Sequence, residues 1–219
     1  MRIAVLGSGT VGRTLSTRLA ELGHTVTLGT RDPDATRARP EVEEVPGVSL
    51  ATFTDAVAEV DVVVVALGGA VALDVLGSIG PERLAGTVLV DVTNPLDFSA
   101  GFPPTLSVKD TDSLGEQVQR LLPDTKVVKT LNTMNAAVMA HPERVGGGDH
   151  TVFVSGDNPT AKAVVEGLLI EMGHTDVLDL GGIETARGAE MFLPLWLRLM
   201  GALGTADFQV KVVRDPDPG

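Results

Sequence analysis

The chain has 219 residues, 43% of them apolar, with 29 acidic and 17 basic side chains for a formal net charge of −12. That length fits one large or two modest domains with a real core, and the charge argues against nucleic acid and anionic membrane as partners. Cysteine is absent, which excludes disulfides, thiolate catalysis and cysteine-ligated metal and fits a cytoplasmic protein. The longest apolar run, about ten residues around Val62 to Leu67, is too short to span a bilayer. With a first strand read directly after Met1-Arg2, the expectation is that there is no signal peptide.

Ile3 to Leu6 reads as a short β run that stops at Gly7-Ser8-Gly9-Thr10-Val11-Gly12, a G-x-G-x-x-G loop. Apolar residues at Val11, Leu15, Leu19 and Leu22 then follow helical spacing, Gly23-His24 ends that helix, and Thr25 to Leu28 is a second strand. In this strand–loop–helix–strand setting the glycines carry meaning. Gly7 suits the tight turn, Gly9 lets backbone approach a pyrophosphate, and Gly12 lets the helix pack on the sheet, with the helix N-terminus facing the phosphates.

The end of the second strand sorts the cofactor. An NAD site places Asp or Glu there for the ribose 2′-hydroxyl. This chain has Gly29-Thr30-Arg31. Thr30 offers a hydroxyl and Arg31 a fork of donors suited to a 2′-phosphate. Asp32, before Pro33, reads as turn chemistry. The expectation is NADP(H) over NAD(H). Arg37 and Arg39 either add positive charge to that pocket or are solvated loop arginines.

After a loop over residues 31–47, Val48 to Phe53 reads as a strand and Asp55 to Glu59 as a short helix capped by Thr54. Val62 to Leu67 (VVVVAL) is a strand buried on both faces, as in the middle of a parallel sheet. Ligands of doubly wound sheets sit beyond the strands' carboxyl ends, so Ala66, Leu67, Gly68 and Gly69 should pass beneath a cofactor. A helix follows from about Ala70 to Leu76, then a strand from Thr87 to Val92. Asn94 falls at that strand's end, either as a partner for ribose or nicotinamide amide or as the turn starter of Asn94-Pro95.

Residues 96–110 lack periodicity and read as a surface loop and candidate lid. An amphipathic helix from Asp112 to Leu122, a sixth strand from Lys126 to Leu131, Asn132-Thr133-Met134-Asn135 at its end, and a helix from Ala136 follow. Arg144 to Asp149 reads as a flexible surface turn. His150–Ser155, a helix from Pro159 to Met172 and Asp176–Leu180 form a further βαβ unit. LAELGHTVTL at Leu19–Leu28 and LIEMGHTDVLDL at Leu169–Leu180 echo one another as a reused helix-to-strand corner.

From Ile183 to Leu203 the chain is helical and apolar over most of its circumference, with Pro194 a kink or restart. Packing against a second copy is the simplest outlet for that surface. Phe208 to Val213 reads as a last β segment, and residues from Asp215 on as a frayed tail. The fold class is α/β: a Rossmann-type, doubly wound, mostly parallel sheet over residues 1–182, with a small helical C-terminal part over 183–219 for dimerisation and the substrate side.

The stretches GSGTVG, LGHTVTLGTR, KVVKTLNTMNAAVM, HTVFVSGD and LPLWLRLMGALG…FQVKVV resemble the NADP oxidoreductases dependent on the deazaflavin coenzyme F420. The cytosolic reductase domains of six-transmembrane metalloreductases are similar too. The resemblance implies hydride transfer between NADP(H) and a flavin-like ring. Carried over by position, Ser8, Thr10 and Val11 would line the pyrophosphate, Thr30 and Arg31 the 2′-phosphate, Leu67 and Gly68 the ribose, and Asn132, Thr133 and Met134 the nicotinamide. Asn132-Thr133-Met134-Asn135 departs from the His-Thr-Ile-Pro of deazaflavin enzymes toward the Asn-Thr of the metalloreductase domains, which leaves deazaflavin and flavin both open.

No catalytic acid or base is assigned. None of His24, His141, His150 and His174 pairs with a carboxylate in sequence, and metal-ligand spacing is absent. Arg187 and Glu190 either face the crevice or form a surface i,i+3 ion pair. Hydride transfer between rings needs alignment more than acid–base groups. Two other readings stay open: an NADPH-dependent reductase of a small carbonyl or imine, and a non-enzymatic NADP-binding sensor.

Overall fold

A computed structural model describes residues 1–42 and 44–215. The first half runs β1 (Arg2–Leu6), α1 (Thr10–Glu21), β2 (Thr25–Thr30), α2 (Pro33–Arg37), β3 (Val48–Thr52), α3 (Phe53–Ala56), β4 (Val62–Val65), α4 (Gly69–Ile79), α5 (Pro81–Leu84) and β5 (Val88–Asp91). The second runs β6 (Leu96–Asp97), β7 (Thr105–Leu106), α6 (Leu114–Leu121), β8 (Lys126–Thr130), α7 (Ala136–Ala140), β9 (Thr151–Ser155), α8 (Pro159–Met172), β10 (Asp176–Gly181), α9 (Ala186–Met191) and α10 (Leu193–Leu203).

Eight strands form one sheet in the order β10-β9-β8-β5-β4-β1-β2-β3. All neighbours are parallel except β8 and β9, which meet antiparallel at Lys129↔Ser155 and Thr130↔Val154. The expected Rossmann-type, mostly parallel sheet is therefore present. From β1 the chain builds outward through β2 and β3, then returns to β1's other side with β4. The crevice between β1 and β4 is the topological switch point, where ligands of such sheets bind.

Strand pleat sorts the core into two layers. Ile3, Val5, Val62, Val64, Val90 and Val128 pack with Leu15 and Leu19 of α1 and Leu168 and Leu169 of α8. Their neighbours Ala4, Leu6, Val63, Val65, Leu89 and Val127 face the other way, onto Leu76 and Ile79 of α4 and Val118 of α6. This is why VVVV reads as a continuous apolar run: alternate valines serve opposite faces.

Caps set the helix starts. Asp32 accepts from the Ala35 amide at 2.9 Å and opens α2, so the 31–47 stretch holds a helical turn that its composition concealed. Thr52, not Thr54, caps α3, and Phe53 belongs to that helix rather than to β3. Ser113 caps α6, its Oγ accepting from the Glu116 amide at 3.1 Å and donating to Glu116 Oε2 at 2.8 Å. The two echoing corners are built alike: His24 N–H reaches Leu19 O at 3.1 Å and His174 N–H reaches Leu169 O at 3.0 Å.

The 96–110 stretch carries a small hairpin, Leu96 opposite Leu106 and Asp97 opposite Thr105. Residues 142–148 form two 3-10 turns, with Gly148 buried. Pro194 marks a restart, lying in the first turn of α10 after α9 has ended. The stretch Phe208 to Val213 is not a strand. It meets the start of β9 through two bonds, Thr151 N–H to Val210 O at 3.0 Å and Val212 N–H to Thr151 Oγ1 at 3.0 Å, the second to a side chain and so not part of a strand ladder. The expected frayed tail lies outside the described residues from position 216 on.

Candidate active site

The loop after β1 is shaped by close backbone contacts. Gly7 has φ +115°, and a Cβ there would collide with the Ala66 carbonyl after β4. A Cβ on Gly12 would collide with the Gly7 carbonyl, so α1 could not start so near the strand. Gly9 differs: a Cβ there would meet nothing within 4 Å. It is the N-cap of α1 and supplies no side-chain cap, which leaves the helix's first amides open to an incoming anion.

Beside this loop lies a cavity of about 420 Å³ lined by Gly7, Ser8, Gly9, Thr30, Arg31, Asp32, Ala35, Thr36, Arg39, Phe53 and Ala66–Gly68. Its floor is a hydroxyl chain, Ser8 Oγ to Thr30 Oγ1 at 3.4 Å and Thr30 Oγ1 to Thr36 Oγ1 at 2.7 Å. Arg39 Nη2 donates to Ser8 O at 2.8 Å and Nη1 to Ser8 Oγ at 3.2 Å, while Arg13 Nη1 reaches Ser8 O at 2.8 Å. Arg31 is exposed and makes no hydrogen bond or ion pair among the described residues. Arg37 turns away to Asp34 at 3.0 Å and does not line this cavity. The two loop arginines thus part company: Arg39 serves the pocket and Arg37 the surface.

A second cavity of about 420 Å³ continues past Ala66, Leu67 and Gly68. Its walls are Val11, Gly69, Ala70, Val92, Leu96, Phe98, Met134, Ala136 and Met139, with Thr93, Asn94 and Asn135 as its polar groups. No titratable side chain lines it. A larger hollow, about 900 Å³, opens on the flank of α1 against Leu28, Val48 and Leu50. It faces strand surfaces, not the carboxyl ends where this fold gathers its ligands.

Of the residues expected from sequence, Gly7, Ser8, Gly9, Thr30 and Arg31 line the first cavity, Val11, Asn94 and Met134 the second, and Leu67 and Gly68 both. Gly12 is buried where α1 meets the sheet, and Thr10 is exposed in the first turn of α1. Asn132 and Thr133 are buried behind the second cavity's wall. Asn132 Nδ2 donates to Asn94 Oδ1 at 3.1 Å and to Ala189 O at 3.0 Å, and Asn94 Nδ2 returns to Asn132 O at 3.0 Å. Asn94 is therefore more than a turn starter: it is locked to the end of β8. Asn135 caps α7 through Val138 N–H at 2.9 Å and donates to Ala206 O at 2.6 Å.

Behind that wall sits a charged cluster that no local pattern announces. Lys129 Nζ lies 3.0 Å from Asp91 Oδ2, 2.8 Å from Glu190 Oε1 and 2.7 Å from Thr93 O, all fully buried or nearly so. Burial pulls the ammonium down, but Asp91 and Glu190 outweigh it and hold Lys129 above the usual lysine range. Glu190 also accepts the Leu114 and Gly115 amides at the start of α6, at 2.8 and 3.0 Å. The expected surface pair between Arg187 and Glu190 does not form. Arg187 instead binds Glu116 in a fork at 2.8 and 2.5 Å, which holds that carboxyl below the usual carboxylate range.

Two histidines find carboxylates that sequence spacing did not suggest: His24 with Glu171 at 3.1 Å and His141 with Glu143 at 3.4 Å. His150 and His174 meet edge to face, and their Nε2 atoms lie on the carbonyls of Pro142 and Met139. None of the four lines the second cavity. Among the described residues no group of three or more His, Cys, Asp or Glu side chains could hold a metal, and no helix is long and apolar enough to cross a membrane.

Comparison with known proteins adds the chemistry. The family model described as "NADP oxidoreductase coenzyme F420-dependent" matches residues 2–95. The F420-dependent NADP reductase of Methanothermobacter marburgensis is 31% identical over 209 residues, covering 91% of this chain and 92% of that protein. A solved structure of a candidate F420-dependent NADP reductase from Arthrobacter sp. FB24 is 59% identical, with TM-score 0.95, covering 98% of this chain and all of that one. The metalloreductase STEAP3 of Rattus norvegicus is 32% identical over 201 residues, and this chain spans only 38% of its length. Nearly full-length identity at this level, on a Gly-rich crevice built as above, shows that the chain belongs to the NADP oxidoreductases of the coenzyme F420-dependent family and is an NADP-dependent oxidoreductase.

Proposed function

We propose that the chain passes a hydride between NADP(H) and the planar ring of a deazaflavin or flavin co-substrate. One observation carries this reading over its rivals: the second cavity has no titratable side chain in its lining. Reduction of a carbonyl or imine needs a positioned proton donor within hydrogen-bond reach. Between two conjugated rings, alignment in an apolar slot is enough. Coenzyme F420 is named for the relatives in Methanothermobacter, and the Asn132-Thr133 end of β8 keeps a flavin in contention.

The residues suit the cofactor. Open amides of α1 and the Cβ-free edge of Gly9 would take the pyrophosphate, with Thr10 and Val11 in the same first turn. Thr30 and Arg31, joined by Arg39, would hold the 2′-phosphate with hydroxyl and guanidinium donors. Leu67 and Gly68 would lie along the ribose. Asn94, fixed by Asn132, would orient the nicotinamide amide, with Met134 beneath the ring and Thr133 supporting the loop. Bound there, NADP(H) would supply two-electron hydride chemistry, the hydrogen and its electron pair moving together between the nicotinamide and the co-substrate ring. The apolar part of the wall, closed over by the bound rings, would limit the access of water to that transfer.

We further assign residues 1–182 to cofactor binding and 183–219 to the substrate side and to pairing of two copies. Leu195 and Leu203 of α10 are 54% and 57% exposed, a surface that a second copy would cover. Action in the cytoplasm belongs to the same reading and is supported by a cysteine-free chain.

Stopped-flow oxidation of NADPH against F420, FMN and a panel of small ketones and cyclic imines tests the reaction. Turnover with the ring acceptors alone is expected. Turnover confined to ketones or imines would overturn the proposal, and tight NADPH binding with no turnover on any member would favour the sensor.

A further inference from the structure

One fully buried charged arrangement lines neither of the two cavities. An ammonium and two carboxylates are buried together on β8, β5 and α9. A buried ionic triad of this kind is commonly no more stable than an apolar replacement of the same volume. Buried ionic groups can instead serve to fix geometry, which makes the cluster's bonds the place to look for a role.

The cluster's bonds define that role. Asp91 Oδ1 accepts both the Thr93 amide at 2.9 Å and the Thr93 hydroxyl at 2.7 Å, curling the end of β5. Lys129 holds the Thr93 carbonyl at 2.7 Å. Thr93 and Asn94, the next residue, line the second cavity. On the far side, Glu190 ties Lys129 to α9 and α6, while Ala189, its neighbour in α9, accepts from Asn132. Asn132 in turn grips Asn94. Both routes from Lys129, through Thr93 and through Glu190 and Ala189, converge on one side chain, Asn94. Each of the four carboxylate oxygens of Asp91 and Glu190 has at least one donor, so the cluster is fully paired and its geometry is over-determined.

We infer that Lys129, with Asp91 and Glu190, is a positioning device that fixes Asn94 against the nicotinamide and so sets the alignment for hydride transfer. The inference rests on the cofactor placement proposed above. It makes Lys129 a positioning residue rather than a catalytic one, since it touches neither cavity. It predicts that loosening the cluster should spoil alignment and leave cofactor affinity nearly intact, because the phosphates are held by the Gly-rich loop and the arginines some way off.

The test uses the full chain with Glu190→Gln, which keeps the Lys129–Asp91 pair, and Lys129→Met, which removes the hub. Each is assayed at a temperature where circular dichroism shows it folded, for NADPH Kd, for the fluorescence enhancement of bound NADPH at saturation, and for kcat with F420 or FMN. We expect Kd within threefold of the parent, fluorescence enhancement at least halved, and kcat lower by about 10- to 100-fold, the scale of an ångström-level misplacement. Folded Glu190→Gln with parental fluorescence and kcat would overturn the inference, whatever its melting temperature. If Lys129→Met does not fold, Glu190→Gln decides alone. If the parent turns over no ring acceptor, the proposed reaction fails, but the fluorescence comparison still judges the positioning role.

Discussion

At the residue scale the proposed 2′-phosphate pocket is where sequence spoke most directly. Gly7, Gly9, Gly12, Thr30 and Arg31 lie within 31 positions of the start of the chain, and their spacing alone implies how they meet. Arg39 was ambiguous because a loop arginine has no period to place it, and only the turn of α2 brings it over Ser8. Charge-assisted hydrogen bonds are worth about 1.5–3 kcal/mol each. Arg31→Ala and Arg39→Ala should therefore each weaken NADPH roughly 10- to 100-fold and leave NADH nearly unchanged, measured by fluorescence titration. Equal losses for both cofactors would show that the arginines do not read the phosphate.

His174 gives a second residue-scale expectation. Burial pushes its pKa down to about 4, so the native imidazole stays neutral where an unfolded one, near pH 6.5, would already be charged. Between pH 6.5 and 4 the unfolded chain binds the extra proton, and stability must fall as pH falls. The full window is worth about 3 kcal/mol, with no further loss from this group below pH 4. His174→Gln, which keeps a donor for Met139 O, should flatten the pH slope of urea-unfolding free energy by one proton's worth. Identical slopes in parent and variant would refute this origin.

At the element scale the strands and long helices were legible, and the short connections were not. Period-2 and period-3.6 patterns are local and survive in sequence. α2 and the β6–β7 hairpin have too few residues for a period and are fixed by caps and neighbours instead. The Lys129 cluster was invisible for a related reason: Asp91 is 38 positions from Lys129, and Glu190 is 76 from the Leu114 amide it binds. No window on the chain spans them. The hairpin carries the prediction about the acceptor. It carries Phe98 and Phe102, 58% and 71% exposed in a chain that is only 3% aromatic, and Phe98 forms part of the second cavity's wall. An exposed aromatic at the mouth of an apolar slot offers a face for a planar ring. Stacking and the apolar area lost together come to about 1–2 kcal/mol. Phe98→Ala should thus raise KM for F420 or FMN roughly 5- to 30-fold while NADPH Kd stays within twofold. An unchanged KM would remove the hairpin from acceptor binding.

At the scale of the whole molecule two properties pull against each other. Leu195, Leu199, Ala202 and Leu203 follow one face of α10, and Leu193 is the only residue of that helix that is fully buried. Burying such a face against a second copy is favourable by roughly 25 cal/mol for each Å² removed from water. The chain also carries a net charge of −12, so two copies must meet against their own repulsion. Added salt shortens the Debye length from about 10 Å at 0.1 M to about 3 Å at 1 M and leaves apolar burial intact. Dimerisation through α10 should therefore tighten as salt rises, the reverse of an interface built on ion pairs. Light scattering coupled to size exclusion should show a dimer at micromolar concentration, with a dissociation constant that falls between 50 and 500 mM NaCl. Leu195→Asp, at an exposed site where it costs the folded monomer little, should shift the population to monomer at every salt concentration. A monomeric parent at high salt would refute the pairing, and a dimer unaffected by Leu195→Asp would move it to another face.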